Sequence, residues 1–162
     1  MADSTFDVVS DFDQQELVNT LDQVRREVAT RFDFKGSKVQ LELGKEAITL
    51  HADDEYRANA VKDLIQSKAV RRNLSLKIFD WGKLEPAAGG TVRQEIALRR
   101  GLTTEQAKEL AKLIRERFPK TKPVIQGDAV RVSGKSRDEL QAVISHLRGL
   151  DYPVALQFTN YR

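Results

Sequence analysis

Hydrophobic side chains recur along the chain with two periodicities, one typical of strands and one typical of helices. In residues 5–10, Phe6 and Val8 alternate with polar side chains, which predicts a strand with one buried face. Asp13, with Glu16 three residues later, forms a capping-box pattern that predicts the start of a helix. The apolar stripe of this helix consists of Leu17, Leu21, Val24 and Val28.

Two further strands, a second helix and another strand complete the first half of the pattern. Gly44-Lys45 predicts a tight turn between the two strands. Asp53 and Asp54 predict the start of the second helix, because carboxylates cap helix N-termini. The apolar positions are Val39, Leu41 and Leu43, then Ile48 and Leu50, then Ala58, Val61 and Ile65, and finally Leu74, Leu76 and Ile78.

The second half of the chain repeats this order of elements. Thr103 with Gln106, and Ser136 with Glu139, predict the starts of two helices, and Gly127-Asp128 predicts a hairpin turn. The apolar strand positions are Val92, Ile96 and Leu98, then Ile125, Val130 and Val132, then Val154, Leu156 and Phe158. The apolar helix positions are Ala107, Leu110, Ala111 and Ile114, then Leu140, Val143 and Leu147.

Each half therefore has the order β-α-β-β-α-β, which is that of a ferredoxin-like domain. Such a domain has a four-stranded antiparallel sheet with two helices on one face. The sequence thus predicts an α+β protein of two ferredoxin-like domains, with a linker of turn composition at 82–90. The sheet faces that the helices leave open are expected to bind ligands. Those faces should carry Thr49, His51, Lys77, Phe79, Arg93, Glu95, Arg99 and Arg131.

Charge is unevenly distributed, although the net charge of the chain is only +3. Residues 1–36 carry four basic and eight acidic side chains, whereas residues 92–137 carry twelve basic and five acidic ones. A segment as basic as the second can attract phosphates. The same composition is also that of a solvated helix face, so charge alone leaves both interpretations open.

Composition excludes several kinds of site and predicts a cytoplasmic protein. The chain has no cysteine, so it has neither disulfides nor a thiolate metal site. Its first residues lack the basic start and apolar run of a secretory signal. No apolar stretch approaches the roughly 20 residues that span a bilayer. We therefore expect a cytoplasmic protein without a membrane partner.

Two motifs resemble catalytic or metal-binding patterns, but each fits a simpler interpretation. Gly134-Lys135-Ser136 resembles the end of a phosphate-binding loop, but the glycine required five positions earlier is Ala129. Asp53-Asp54-Glu55 fits a helix N-terminus, and His51 and His146 are far apart in the sequence. No serine lies in a nucleophile-elbow pattern. We predict no metal, no cofactor and no enzymatic activity.

Aromatic and basic side chains lie side by side at two places in the first half. They are Arg31, Phe32, Phe34 and Lys35, and then Lys77, Phe79, Trp81 and Lys83. Flat rings can stack on bases while cations hold phosphates, although the same rings can instead fill the core. The strands that carry aromatic side chains in RNA-recognition motifs correspond to 46–51 and 128–133, and neither contains one.

Four stretches of the sequence carry a resemblance to a known family. They are residues 6–10, residues 26–36 with the motif Arg31-Phe32-Asp33-Phe34-Lys35-Gly36, residues 125–138 and residues 157–162. In these stretches, and along essentially its whole length, the chain resembles the YajQ family of small bacterial nucleotide-binding proteins.

The resemblance implies two ferredoxin-like domains that exchange their first strands. Residues 11–80 with 91–100 would form one domain, and residues 1–10 with 101–162 the other. It also implies nucleotide or RNA binding without catalysis. Some relatives are regarded as cyclic di-GMP effectors that contact transcription factors.

We therefore expect a non-enzymatic nucleotide-binding protein that regulates through a protein partner such as a transcription factor. Cyclic di-GMP or another guanine nucleotide is the expected ligand, and RNA, including tRNA, is the alternative. Charge and aromatic chemistry predict the nucleotide-binding residues, whereas Arg25 on the acidic first helix is expected to have no role in binding. The predicted binding residues are Phe32, Lys35, Arg93, Arg99, Arg131, Lys135 and Arg137.

Overall fold

The computed structural model describes residues 3–162, apart from the side chain of Phe32. Within these residues the protein is α+β, with four helices and two four-stranded antiparallel sheets, which confirms the predicted fold class. The helices are α1 (Gln14–Thr30), α2 (Glu55–Arg71), α3 (Thr104–Arg117) and α4 (Arg137–Arg148). The strands are β1 (Ser4–Val9), β2 (Gln40–Leu43), β3 (Ala47–Ala52), β4 (Phe79–Pro86), β5 (Val92–Leu98), β6 (Lys122–Gln126), β7 (Ala129–Gly134) and β8 (Gln157–Thr159).

The chain divides into two compact units, each with one of the sheets. The first, which we call the split unit, comprises Met1–Asp11 and Arg100–Arg162, and the second, the central unit, comprises Phe12–Arg99. The sheet of the split unit has the order β6-β7-β1-β8, and that of the central unit has the order β2-β3-β5-β4. The N-terminal strand β1 is therefore an internal strand among strands from the last third of the chain.

The core of the split unit lies between one face of its sheet and the two helices α3 and α4. Phe6 and Val8 of β1 are fully buried, as the alternating pattern predicts. All the predicted apolar positions of α3 and α4 are buried in the same core. Each large aliphatic side chain buried in this way stabilises the fold by about 1.5–3 kcal/mol, which holds both helices against the sheet.

The central unit buries the predicted stripe of α1 at Leu17, Leu21 and Val24. The two helices of this unit are also joined by an ion pair, in which Lys68 Nζ lies 3.0 Å from Glu27 Oε1. The hydrogen bond from Lys68 holds the pKa of Glu27 below its ordinary value. At the start of α1, Asp13 accepts hydrogen bonds from the backbone N–H groups of residues 15 and 16.

Two predicted strands differ from the structure. Residues 76–78 form a 3-10 turn, because the Ser75 side chain accepts a hydrogen bond from the Lys77 backbone N–H and favours a turn there. Strand β4 begins only at Phe79, which is buried and therefore does not lie on the open sheet face. The last strand, β8, is shorter than predicted, and Pro153 interrupts the segment before it.

Residues 82–90, for which composition predicts a linker, are part of the central unit. Strand β4 continues through Gly82 to Pro86 and pairs with β5, with a shift of register between Trp81 and Leu84. A 3-10 turn at Ala88–Gly90 then leads into β5. The register shift is a bulge, which breaks the alternation that would have revealed the strand in the sequence.

None of the helices in residues 3–162 has the length and apolar character that a membrane span requires.

Candidate functional site

A groove of about 900 Å³ lies in the central unit, along the second half of α1 and the edge strand β2. Its apolar lining includes Val28, which the end of α1 leaves only partly buried, and Phe34. Three cations also line it, namely Arg25, Arg31 and Lys35. The remaining lining residues are Ala29, Thr30, Gly36, Ser37, Val39, Gln40, Leu41 and Glu42.

The rim of the groove is held in place by Asp53, which lies between β3 and α2. Its Oδ1 accepts a hydrogen bond of 2.8 Å from the Lys38 backbone N–H and another from the Ser37 hydroxyl. The hydrogen bond from Ser37 is the main reason that the pKa of Asp53 lies below its ordinary value. The Ser37 backbone N–H also donates to the Phe34 carbonyl at 2.9 Å, so the rim is fixed at both ends.

Arg25 closes the open edge of β2. Its Nε and Nη2 donate to the Leu41 carbonyl oxygen at 3.3 and 2.8 Å, and its Nη1 lies 3.0 Å from Asp22 Oδ1. Since β2 is at the edge of its sheet, this carbonyl would otherwise be available to another strand. The arginine therefore opposes the addition of another strand at this position.

Arg31 lies over the ring of Phe34, with 5.2 Å between its guanidinium carbon and the ring centroid. Its Nε and Nη2 donate to the two carboxylate oxygens of Asp33 at 3.0 and 2.7 Å. The same hydrogen bonding to Asp33 raises the pKa of Arg31. Its Nη1 also lies 3.5 Å from Glu27 Oε2. These contacts fix the guanidinium group at the wall of the groove.

Lys35 is the one groove cation without an ion-pair partner in the part of the chain that the structure describes. Its side chain is exposed and follows the 3-10 turn Phe32–Phe34. An ammonium group without a carboxylate partner is available to an anion. Lys35 is thus the predicted binding residue that the structure places in the groove, and the side chain of Phe32 lies outside the described residues.

Arg131 is exposed on the sheet face opposite the helices, as the alternating pattern predicts, but it already has a carboxylate partner. Its Nε and Nη2 donate to Asp7 Oδ1 and Oδ2 at 2.9 and 3.3 Å, and Asn160 donates to the same carboxylate at 2.8 Å. Asp7 is directly opposite Arg131 in the pairing of β1 with β7. The sequence pattern cannot show this partner, because the two residues lie 124 positions apart.

Lys135 and Arg137 flank the start of α4 in the split unit, where carboxylates already meet the positive end of the helix dipole. The Ser136 hydroxyl accepts a hydrogen bond of 3.3 Å from the Glu139 backbone N–H, as the capping prediction requires. Asp138 and Glu139 both lie in the first turn. This helix start therefore has less attraction for a phosphate than its two cations suggest.

Arg93 and Arg99 lie in the central unit but away from the lining of the groove. Arg93 is on β5, opposite His51 on one side and Glu85 on the other. Arg99 follows the end of β5, and its Nη2 lies 3.6 Å from Asp80 Oδ1. The open face of this sheet therefore mixes charges of both signs and is not the cationic surface that a phosphate ligand favours.

Sequence reasoning missed Arg25 and Arg31 as lining residues of the groove. Arg25 was expected to have no role in binding because it lies on an acidic helix. Arg31 was recognised beside Phe32 and Phe34 but was not among the predicted binding residues. The available signal was the motif at 31–36, because Arg31, Phe34, Lys35 and Gly36 line the groove and Asp33 holds Arg31 in place.

Comparison with known proteins finds relatives along nearly the whole chain. The family model described as "Nucleotide-binding protein YajQ-like" matches residues 4–162. A protein of Trichodesmium erythraeum named "Nucleotide-binding protein" is 55% identical over 98% of both chains. One of Chloroflexus aggregans with the same name is 58% identical over 99% of this chain and 98% of its own length. One of Synechococcus elongatus is 58% identical over 98% of both chains. The chain therefore belongs to the YajQ-like family of nucleotide-binding proteins.

Proposed function

We propose that this protein binds a phosphate-bearing nucleotide in the groove along α1 and β2, and that it does so without catalysis. The observation that carries the proposal is the composition of the groove, in which three cations surround a partly apolar wall. A nucleotide has the matching parts, since its base is flat and apolar on its faces and its phosphates are anionic. The names of the relatives agree with such a ligand.

The size of the groove supports a ligand larger than a mononucleotide. Its volume of about 900 Å³ lies near the upper end of the range for small-molecule sites. Cyclic di-GMP, with two bases and two phosphates, is the first candidate, and other guanine nucleotides follow. In this proposal the protein is a regulatory effector that passes the binding event to a protein partner such as a transcription factor.

RNA binding is the second candidate, and a feature of the split unit favours it. Lys108, Lys112 and Arg115 recur at helical spacing on one side of α3, and all three are exposed. None of them has an ion-pair partner among residues 3–162. Unpaired cations in a row can contact successive phosphates of a nucleic acid.

Titration calorimetry with four ligands tests the proposal and separates the two candidates. The ligands are cyclic di-GMP, GTP, GMP and a short RNA, each measured at two salt concentrations. A nucleotide that touches few phosphates should bind with weak salt dependence, whereas RNA that neutralises many should lose affinity steeply as salt rises. Binding of cyclic di-GMP or GTP with weak salt dependence supports the proposal. Binding of RNA alone supports the second candidate, and no binding of any nucleotide contradicts the proposal.

A further inference from the structure

We infer that the guanidinium group of Arg31 is the surface on which the base of the ligand stacks. The inference rests on the proposed function, since it concerns the same groove. It narrows the ligand class to anions that carry a flat base. A polyphosphate without a base would make the phosphate contacts of the groove but not the contact with Arg31. The inference also assigns the stacking role to a residue other than the aromatic rings that the sequence suggests.

The ring of Phe34 is not available for stacking. Only 4% of the residue is exposed, and Arg31 lies over the ring. Arg31 itself keeps 40% of its side chain exposed and lines the groove. A base that enters the groove at this point therefore meets the guanidinium group before it can meet the ring.

The plane of the guanidinium group is fixed before any ligand arrives. Two hydrogen bonds to the two oxygens of Asp33 form a bidentate contact, which sets the orientation of both planar groups. The Phe34 ring lies against the group, with 5.2 Å between the guanidinium carbon and the ring centroid, so a ligand reaches Arg31 from the exposed part that lines the groove. Arginine planes stack on nucleobases in the same way that aromatic rings do.

Arg31 and Lys35 therefore have different tasks. The nitrogens of Arg31 are already engaged by Asp33 and Glu27, so its hydrogen-bonding capacity for phosphate is largely used. Lys35 has a compact charge and no ion-pair partner among the described residues, so it is the cation that suits a phosphate. In the bound state, Arg31 contacts the base of the ligand and Lys35 contacts its phosphate.

The test compares GTP with inorganic tripolyphosphate, which has the phosphates but no base, in calorimetric titrations of the full chain. Arg31→Lys keeps the positive charge and removes the plane. We expect it to weaken GTP binding about tenfold, because a stacked base contributes roughly that factor to affinity. The affinity for tripolyphosphate should stay within about twofold of the wild-type value. Lys35→Met should weaken both ligands. Arg26→Lys, on the exposed side of the same helix and outside the groove lining, should change neither.

Asp33→Asn provides a second variant that leaves Arg31 in place and loosens only its orientation. It should weaken GTP binding and leave tripolyphosphate binding at least as strong as in wild type, because the change removes a carboxylate and frees guanidinium N–H groups. Circular dichroism should show both variants folded. An equal loss for both ligands in Arg31→Lys would show that Arg31 holds phosphate and would overturn the inference. Wild-type affinity for GTP in Arg31→Lys, with a loss in Lys35→Met, would also overturn it while leaving the proposed function intact. If neither change affects GTP, the proposed groove is not the site.

Discussion

The carboxylate of Asp7 is nearly buried on the sheet face that the helices leave open, and it stays charged because of its neighbours. Only 7% of the residue is exposed. The hydrogen bonds from Arg131, and then that from Asn160, hold its pKa below the ordinary value of 3.8, although burial acts in the opposite direction. The folded protein therefore binds a proton at Asp7 less readily than the unfolded chain does.

This difference in proton affinity predicts a pH dependence of stability. Asp7→Asn should lower the free energy of unfolding by about 1–3 kcal/mol at pH 7, because the charged hydrogen bonds are lost. The stabilisation by Asp7 is complete above the ordinary pKa and is lost as the pH falls below about 4 through the lowered value. Urea unfolding between pH 3 and 7 should therefore show wild type and variant converging at the acid end.

The matched control is Glu116→Gln, an exposed carboxylate on α3. It should follow the wild-type curve at every pH. A gap between wild type and Asp7→Asn that stays constant down to pH 3 would show that the carboxylate contributes through packing and not through its charge.

Residue identity alone could not reveal which cations are free. Arg131 between two valines and Lys35 between Phe34 and Gly36 are both cations with uncharged neighbours in the sequence. In the structure, Arg131 is opposite Asp7, whereas Lys35 has no ion-pair partner among the described residues. The difference arises from strand register, which joins positions more than a hundred residues apart. The sequence predicted the chemistry of the ligand, whereas the partners of each side chain required the structure.

At the scale of elements, the bulge in β4 depends on a glycine. A β-carbon at Gly82 would collide with the backbone carbonyl oxygen of Glu95. The Gly82 carbonyl in turn accepts a hydrogen bond of 2.7 Å from the side chain of Gln94, which is buried. The close approach of the two strands and this hydrogen bond together keep β4 paired with β5 through the register shift.

Gly82→Ala should therefore destabilise the protein by about 1–3 kcal/mol, the usual cost of forcing an atom into packed structure. Gly149→Ala is the control, since its nearest neighbours would be 3.6 Å from the new carbon and its φ of −79° suits alanine. That change should stay within about 0.5 kcal/mol of wild type. Thermal or urea unfolding measures both, and equal stabilities of the two variants would contradict this explanation of the bulge.

The helices were predicted well because their capping residues and apolar stripes lie within a few positions of one another. The strands were predicted less well because their pairing joins distant parts of the chain. The Thr103 and Gln106 pair forms the complete capping box that its spacing predicts. At Asp13, by contrast, the predicted partner Glu16 accepts hydrogen bonds from Asn19 and Arg72. The end of β4 escaped prediction because a glycine-containing bulge and a proline have the composition of a linker.

At the scale of the whole molecule, β1 makes the split unit depend on both ends of the sequence. It lies between β7 and β8, and it contributes Phe6 and Val8 to the core. A fragment of residues 101–162 would lack an internal strand, expose sheet edges on both sides of the gap and leave part of its core empty. The central unit, by contrast, is continuous from residue 12 to residue 99.

We therefore expect residues 101–162 alone to be unfolded or aggregated, and residues 12–99 alone to unfold cooperatively. Fusion of residues 1–10 to the first fragment should restore a folded state, because the missing strand is then present. Circular dichroism and size-exclusion chromatography of the three fragments measure this. A well-folded monomer of residues 101–162 would contradict the role assigned to β1.

The fold of the whole molecule was accessible from sequence because the β-α-β-β-α-β order appears twice in the pattern and the resemblance covers both halves. The groove was less accessible, because the predicted binding residues divide between the two units. Among those whose side chains the structure describes, only Lys35 lies in the groove lining, while Lys135 and Arg137 lie at α4. A pattern along the chain cannot tell which of these groups faces a cavity.

The most direct test of the central claim compares two lysines of similar sequence surroundings, Lys35 before Gly36 and Lys135 after Gly134. Calorimetric titration of cyclic di-GMP and GTP is performed on wild type, Lys35→Met and Lys135→Met. If the nucleotide binds in the groove, Lys35→Met loses about tenfold or more in affinity, as expected for a charged phosphate contact, and Lys135→Met binds like wild type. The opposite result, with affinity lost at Lys135 and kept at Lys35, would place the site at the start of α4 and contradict the account.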